Sequence, residues 1–253
     1  MPTLPWPRRP GRKLRLESPQ TADTEMRMPL AEMENGSVAV ASTTRPRQEV
    51  RGLLRFERAV KGVLDFVGSL AMVILLSPLW LLIALCVKLD DGGPILFRRR
   101  VVGQGGEFDA FKFRTMVTNA EAVLKADPEL RQKYEHSFKL KNDPRVTRVG
   151  ALLRKYSLDE LPQLLNVMRG QMSLVGPRMC TADELRRFGE FGKLVLSVRP
   201  GITGYWQVSG RQNVSFEQHV AMDVYYVENW SLWMDIGIIL KTPRKVISGE
   251  GAY

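Results

Sequence analysis

The sequence predicts an α/β fold that is mostly helical and irregular, with a small β-hairpin, behind an apolar helix near the N-terminus. Three observations predict it. An uncharged run of 22 residues, 66–87, has the length of a helix that enters the apolar core of a bilayer. Two short apolar stretches on either side of a glycine-rich turn, Gly103 to Gly106, indicate a hairpin. Later segments carry apolar residues at helical spacing.

Composition limits the classes of function. The chain has 253 residues, a formal net charge of +10 and a pI of about 9.8. Such a charge suits anionic lipid, nucleic acid or a phosphorylated substrate. Cys86 lies within the apolar run, so a structural disulfide with Cys180 is not expected. The two histidines, His136 and His219, lack the spacing of zinc ligands.

Three segments divide the chain. Residues 1–50 mix proline with basic and polar residues without hydrophobic periodicity, which predicts a disordered tail. This tail has no apolar stretch followed by a cleavage site, so it is not a signal peptide. Residues 51–90 form the predicted membrane helix, and residues 91–253 form the predicted soluble domain.

Ser77 and Pro78 lie near the middle of the apolar run. Proline removes a backbone donor and predicts a kink. Both flanks are basic, and basic residues prefer the cytosolic side. The residues alone leave two alternatives, a kinked spanning helix and a re-entrant helix with both ends on that side. Lys61 and Asp65, four residues apart, can pair on one helix face.

The predicted hairpin joins residues 95–97 to 108–113 through the glycine turn. Lys112 and Arg114 flank Phe113. On a strand, alternation would place both cations on the face opposite Phe113. That face is either solvated or an anion-binding surface.

An adjacent acidic pair, Asp159 and Glu160, opens the stretch "SLDELPQLLNVMRGQMSLVGPR". Ser157 and Glu160 fit a capping box, and a helix dipole favours acids in the first turn. Helix initiation therefore explains the pair by itself. The alternative is a reactive pair, because basic residues crowd its approach. These are Arg145, Arg148, Arg154 and Lys155.

A glycine-rich stretch, "SVRPGITGYWQVSGR", follows, and two helices with aromatic and basic residues end the chain. Glycine turns let backbone N–H groups approach phosphate, and arginine adds bidentate donors, although most such turns bind nothing. The two helices suit a membrane–water interface or a packed core equally well.

Taken in their order along the chain, these motifs resemble those of the bacterial monotopic phosphoglycosyl transferases, also called the bacterial sugar transferase family. The resemblance covers about residues 55–247. It is carried by Lys61 with Asp65, Ser77-Pro78, "FKFRTM", the acidic stretch, "RPGITGYWQVSGR" and "DVYYVENWSLWMDIGIILKT".

The resemblance implies an enzyme that transfers a sugar 1-phosphate from a UDP-sugar to undecaprenyl phosphate, releases UMP and starts exopolysaccharide synthesis. UDP-glucose or UDP-galactose is the expected donor, and no nucleic acid partner is expected. The membrane helix is expected to be re-entrant, broken at Ser77-Pro78. The catalytic domain would then lie on the cytosolic face of the bacterial inner membrane. Its interfacial amphipathic helices would contact membrane lipid. The sequence does not determine the oligomeric state, and a homo-oligomer is one of the alternatives.

The resemblance also implies a site. Asp159 is the expected nucleophile, and Glu160 is the expected ligand of Mg²⁺. Met179 stands where the family usually has proline, which would loosen the turn that presents Arg178. The predicted substrate-binding residues are Lys112, Arg114, Arg154, Arg178, Arg199, Gly201, Thr203, Gly204 and Arg211.

Two other functions compete with this one. A membrane-anchored basic adaptor would explain the charge and the apolar segment, but it gives no reason for acids inside a basic cluster. A direct-attack transferase, in which Asp159 only binds metal, would form no covalent intermediate.

Overall fold

The computed structural model describes residues 47–129, 131–132, 143–209 and 214–248, with side chains from Phe56 onward. All of these residues belong to one unit, Pro46–Tyr253. The predicted tail, 1–50, lies outside the described residues except for its last four, which open a helix at Arg47.

The N-terminal helices α1 (Arg47–Leu75) and α2 (Ser77–Asp91) precede a hairpin of β1 (Leu96–Gly103) and β2 (Gly106–Phe113). The elements after the hairpin are α3 (Ala120–Ala126), α4 (Arg148–Lys155), a 3₁₀ turn (Leu158–Glu160), α5 (Gln163–Met168), β3 (Ser173–Val175), α6 (Ala182–Arg186), a second 3₁₀ turn (Gly189–Phe191), α7 (Gly192–Val195), β4 (Gly201–Thr203), α8 (Tyr205–Ser209), α9 (Phe216–Glu228) and α10 (Leu232–Ser248). The expectation of a mostly helical α/β fold with small sheets is confirmed.

The chain bends between α1 and α2, as predicted at Ser77 and Pro78. Pro78 lies in the first turn of α2, where its missing N–H costs no hydrogen bond. The Ser77 hydroxyl donates to the Ile74 carbonyl at 2.8 Å. Within the described ranges, no single helix has the length and apolar character needed to cross a bilayer, but Phe56–Leu75 and Ser77–Asp91, bent by 64°, meet both requirements together.

The hairpin packs against the rest of the molecule through both faces. Phe108 and Ala110 of β2 contribute to a core with Met172. Phe113 points to the other face, where it packs against Ile83 and Val87 of α2. The C-terminal half of the bent pair is therefore attached to the domain by the same strand that carries Lys112.

β3 and β4 pair in parallel, and glycines allow their close approach. A Cβ on Gly201 would lie 2.1 Å from the Gly176 nitrogen, and a Cβ on Gly204 would lie 2.3 Å from the Gly176 carbonyl oxygen. The Gly201 N–H donates to the Pro177 carbonyl at 2.8 Å. These glycines thus bring two backbones together next to the Gly-Pro-Arg turn.

A buried polar cluster docks α1 on the domain. We call Lys61, Asp65, Tyr226 and Asp235 the anchor cluster. Lys61 Nζ lies 2.6 Å from Asp235 Oδ2 and 4.0 Å from Asp65 Oδ1, so the predicted pair exists, but the closer partner comes from α10.

Backbone and hydroxyl groups complete the anchor cluster. Asp65 accepts the Ser173 hydroxyl at 2.8 Å and the Leu174 N–H at 3.0 Å. The Tyr226 hydroxyl donates to Asp235 at 2.7 Å. β3 is thereby tied to both α1 and α10.

Replacing Lys61 with methionine is expected to lower the free energy of unfolding by about 3 kcal/mol, because two buried carboxylates lose their shared cation. Denaturant unfolding of the detergent-solubilised protein measures this loss. Lys125→Met provides the control, since Lys125 pairs with Glu121 on the exposed surface of α3, and its loss is expected to cost less than about 0.5 kcal/mol. Equal stability of the two variants would contradict the prediction.

The two predicted C-terminal helices are confirmed as α9 and α10. Ser215 caps α9 and forms a capping box with Gln218. Helix α10 packs Ile238 in the core. On its outer face it exposes large apolar side chains: Trp233, Ile236, Leu240 and Ile247.

Candidate functional site

The acidic pair lies in a tight turn between α4 and α5. Ser157 adopts a left-handed conformation, with φ of 53°. Its side chain makes no capping hydrogen bond to the described residues, and α5 begins only at Gln163. The prediction that Ser157 and Glu160 form a capping box is therefore wrong, because the chain turns sharply before the helix starts. Asp159 is 8% exposed.

Lys112 approaches both acids from the end of β2. Its Nζ lies 2.6 Å from Glu160 Oε1 and 3.8 Å from Asp159 Oδ2. All three side chains are largely shielded from water. Alternation along β2 places this cation opposite the buried Phe113 ring, as the sequence predicts.

Arg154 reaches the pair from the last turn of α4. Its Nε donates to the Thr115 hydroxyl at 2.9 Å, which orients the guanidinium. Burial lowers the pKa of Arg154, and the charge of Asp159 opposes this shift. The same charge interaction stabilises the Asp159 carboxylate.

The two acids differ in pKa although they are neighbours. Burial raises the pKa of Asp159 to about 6, with Lys112 opposing the shift and Glu160 adding to it. Burial also disfavours the ionised form of Glu160, but the charges of Lys112 and Arg178 outweigh it and hold the pKa of Glu160 below its usual range. Environments that separate the pKa values of paired carboxyls are typical of sites where the two groups have different roles.

Asp159 lies in the 3₁₀ turn Leu158–Glu160 and not in the first turn of α5. Burial is the largest effect on its pKa and outweighs the opposing charges of Lys112 and Arg154.

Arg178 lies against an aromatic ring. Its Cζ is 5.3 Å from the centre of the Trp206 ring. Met179, which stands where proline was expected, is 4% exposed in the core, and the next residue bonds to β1. The Val102 N–H donates to the Cys180 carbonyl at 2.9 Å.

Two predicted binding residues are engaged elsewhere. Arg114 follows the last residue of β2 and turns away from Lys112. It forms a bidentate ion pair with Asp91 and donates to the Pro94 carbonyl at 2.6 Å. Thr203 shares a hydrogen bond with Thr242 of α10 at 2.9 Å.

The other predicted residues of the glycine stretch are not brought to the acids by any described contact. The N–H of Gly201 is bonded to the Pro177 carbonyl and is therefore not free for a phosphate. Arg199 is exposed, and its guanidinium lies beside Gly170. Gly204 packs on Gly176, and Arg211 lies outside the described residues.

Sequence reasoning missed several residues around Arg178. Trp206 lies next to it, His219 packs on Trp206, and Asp223 pairs with His219. No sequence signal placed Trp206 there. The spacing of His219 and Asp223, four residues apart in a helical pattern, is a signal for contact that could have been used. Asp235 of the anchor cluster carried no such signal, because its partner lies 174 residues away.

The donor set can be tested against Mg²⁺. The described residues contain no group of three or more His, Cys, Asp and Glu side chains that could hold a metal ion. Mg²⁺ is usually held by one or two carboxylates together with substrate phosphates and water. Asp159 and Glu160 fit that pattern, and Glu160 would share its charge between the ion and Lys112.

Comparison with known proteins identifies a matching family model. The family model described as "Bacterial sugar transferase" matches residues 56–249. An uncharacterised sugar transferase of Haemophilus influenzae is 50% identical over 201 residues, which are 78% of this chain and 42% of that protein.

Two named relatives are also similar. The undecaprenyl-phosphate galactose phosphotransferase of Salmonella typhimurium is 48% identical over 205 residues, 79% of this chain and 43% of that protein. The exopolysaccharide production protein ExoY of Rhizobium meliloti is 46% identical over 194 residues, 75% of this chain and 86% of that protein. The chain thus spans about two fifths of the length of the first two relatives and most of the third.

Proposed function

The chain belongs to the bacterial sugar transferase family, and we propose from this that it transfers a sugar 1-phosphate from a UDP-sugar to undecaprenyl phosphate, with release of UMP. The product would start an exopolysaccharide or a related glycan. Similarity to proteins named for galactose phosphate transfer and exopolysaccharide production supports this choice. UDP-galactose and UDP-glucose are the donors to test first, since a relative in Caulobacter vibrioides is named for glucose 1-phosphate transfer.

One observation carries the proposal: a buried acid, Asp159, and a partly buried acid, Glu160, differ in pKa and share one lysine. The charge of Arg154 also acts on Asp159. A UDP-sugar brings a negatively charged diphosphate, which repels any anionic nucleophile. Fixed cations lower that barrier, since phosphoryl transfer depends mainly on positioning and electrostatic stabilisation. An adaptor protein would not need the acids.

In the first step, an oxygen of the Asp159 carboxylate attacks the phosphorus that bears the sugar. A bond from Asp159 to phosphorus forms as the bond to the UMP oxygen breaks, and UMP leaves. Lys112 and Arg154 stabilise the charge that moves onto the phosphate oxygens. The covalent aspartyl phosphosugar divides one difficult transfer into two easier steps.

In the second step, a phosphate oxygen of undecaprenyl phosphate attacks the same phosphorus. The new diphosphate bond forms as the bond to Asp159 breaks, which restores the carboxylate. Glu160 would hold Mg²⁺, which when bound would neutralise charge on the donor diphosphate during the first step. Lys112 keeps Glu160 ionised for that role.

The bent pair of helices would hold this site at the membrane surface. Both helices expose large apolar side chains, among them Leu64, Leu75, Leu81 and Leu89. A re-entrant arrangement keeps both basic flanks on the cytosolic side, as the preference of basic residues requires. The exposed apolar face of α10 would rest on the same surface, with the catalytic domain in the cytosol.

The enzymatic proposal is tested with purified protein, a panel of UDP-sugars, Mg²⁺ and undecaprenyl phosphate. We expect UMP release with at least one donor. EDTA is expected to reduce the rate by more than about 100-fold, because the donor diphosphate loses its counter-ion, and added Mg²⁺ is expected to restore the rate. No UMP release with any UDP-sugar would favour the adaptor.

The topology proposal is tested by tags at both ends of the full chain in intact cells. Both tags are expected to be protected from impermeant reagents outside the inner membrane. Replacing Pro78 with leucine is expected to straighten the helix and expose one tag, because the backbone N–H lost at proline is regained. Leu79→Ala, which leaves the proline in place, serves as the control. Labelling of one end in the unaltered protein would contradict the re-entrant arrangement.

A further inference from the structure

Helix α9 carries a fully buried carboxylate that the proposed reaction does not use. Asp223 has 0% exposure, and its Oδ2 lies 3.1 Å from Nε2 of His219, one turn earlier. Burial raises the pKa of Asp223, and His219 opposes the shift. Removing charges from water is costly, so such a pair is rarely kept for stability alone.

Asp223 lies within the electrostatic influence of Arg178. The backbone N–H and the side-chain charge of Arg178 both oppose the rise in the pKa of Asp223 that burial causes. The residues before Arg178 are held by the parallel strands, through the bond from the Gly201 N–H to the Pro177 carbonyl. Asp223 therefore interacts with Arg178 through its charge.

His219 reaches the other end of Arg178 through Trp206. The His219 and Trp206 rings lie 4.4 Å apart between centroids, at 43°. The Arg178 guanidinium lies over the face of the Trp206 ring, and this face attracts a cation. Phe188 packs against the edge of His219 at 5.9 Å and restricts its movement.

We propose that His219 and Asp223 are positioning residues that fix Trp206 and, through its ring, hold the Arg178 guanidinium ready for the phosphates of a uridine nucleotide. This inference rests on the proposed function, since it takes Arg178 as a ligand of those phosphates. Arg178 already acts on the acidic pair, because its charge lowers the pKa of Glu160. Fixing a long side chain before binding reduces the entropy lost when the ligand binds.

The test is a double-mutant cycle on the full chain, with UDP as the probe and calorimetry as the measurement. Asp223→Asn is expected to weaken UDP binding about tenfold, and Arg178→Ala at least as much. In the Arg178→Ala protein, Asp223→Asn is expected to change the affinity by less than about twofold, because the positioned group is already missing. His219→Gln, which keeps a planar donor, is expected to bind UDP better than His219→Ala.

Turnover provides a second readout. Asp223→Asn is expected to raise KM for the UDP-sugar about tenfold and to change kcat by less than about threefold, because it affects nucleotide binding rather than the reacting acids. Ser215→Ala is the matched control. It removes the N-cap of the same helix and destabilises it, yet it is expected to leave UDP affinity within about twofold.

Additive effects of Asp223→Asn and Arg178→Ala, or unchanged UDP affinity in a folded Asp223→Asn protein, would overturn the inference. So would an equal loss of affinity in Ser215→Ala, which would reduce the pair to a structural role. Failure of the proposed function would give a different result from failure of this inference. The wild-type protein would release no UMP, while the UDP affinities of the variants would still follow the expected cycle.

Discussion

Replacing Asp159 with asparagine is expected to reduce UMP release by more than about 10³-fold. Asparagine keeps the size of the side chain but removes the oxygen nucleophile that forms the bond to phosphorus. Wild-type protein incubated with radiolabelled UDP-sugar and no acceptor, then quenched in denaturant, is expected to carry label on Asp159. The Asp159→Asn protein is expected to carry none.

Asp183→Asn is the control for this experiment. Asp183 is an exposed acid of α6 that pairs with Arg186, so its variant is expected to retain both activity and label. Substantial activity in Asp159→Asn, together with no label on the wild-type protein, would favour direct attack by the acceptor. In that case Asp159 would serve only as a metal ligand.

Replacing Lys112 with methionine is expected to reduce kcat by about 10²–10³-fold. Methionine retains most of the volume but removes the ammonium that lies 2.6 Å from Glu160 and 3.8 Å from Asp159. The two largely shielded carboxylates are then left without this cation. The charge developing on the donor phosphate also loses one of its stabilising groups. Steady-state UMP release at saturating donor measures the effect.

Arg100→Met provides a matched control on the same hairpin. Arg100 is an exposed cation of β1 that pairs with Glu107 and Asp109, so its variant is expected to keep kcat within about twofold. Thermal unfolding of both variants separates lost activity from lost structure. A folded Lys112→Met protein with kcat within about threefold of wild type would contradict a role for this ammonium at the reacting phosphate.

Local patterns predicted the elements whose structure depends on neighbouring residues. The hairpin follows from alternation and from a turn that needs Gly106, whose φ is +104°. The bend at Pro78 follows because proline has no N–H to donate to the carbonyl four residues earlier, so it cannot continue α1. The acidic pair stood out because two acids are adjacent within a basic region.

The same local patterns failed where long-range contacts decide. Alternation placed Lys112 and Arg114 together, but β2 ends at Phe113, and Arg114 turns to Asp91, 23 residues earlier. The capping prediction for Ser157 failed because the chain bends into a left-handed conformation there. Helical spacing found the Lys61–Asp65 pair but not Asp235.

The sequence by itself determined the apolar helix with its break, the hairpin, the family and the identity of the two acids. Each of these depends on the chemistry of consecutive residues or on motifs preserved in order. Tertiary structure alone decided which cations lie beside the acids and that burial raises the pKa of Asp159. It also decided that Trp206, packed on His219, lies against Arg178. The reason is that burial and charge act through space, between residues whose separation along the chain carries no information about their distance.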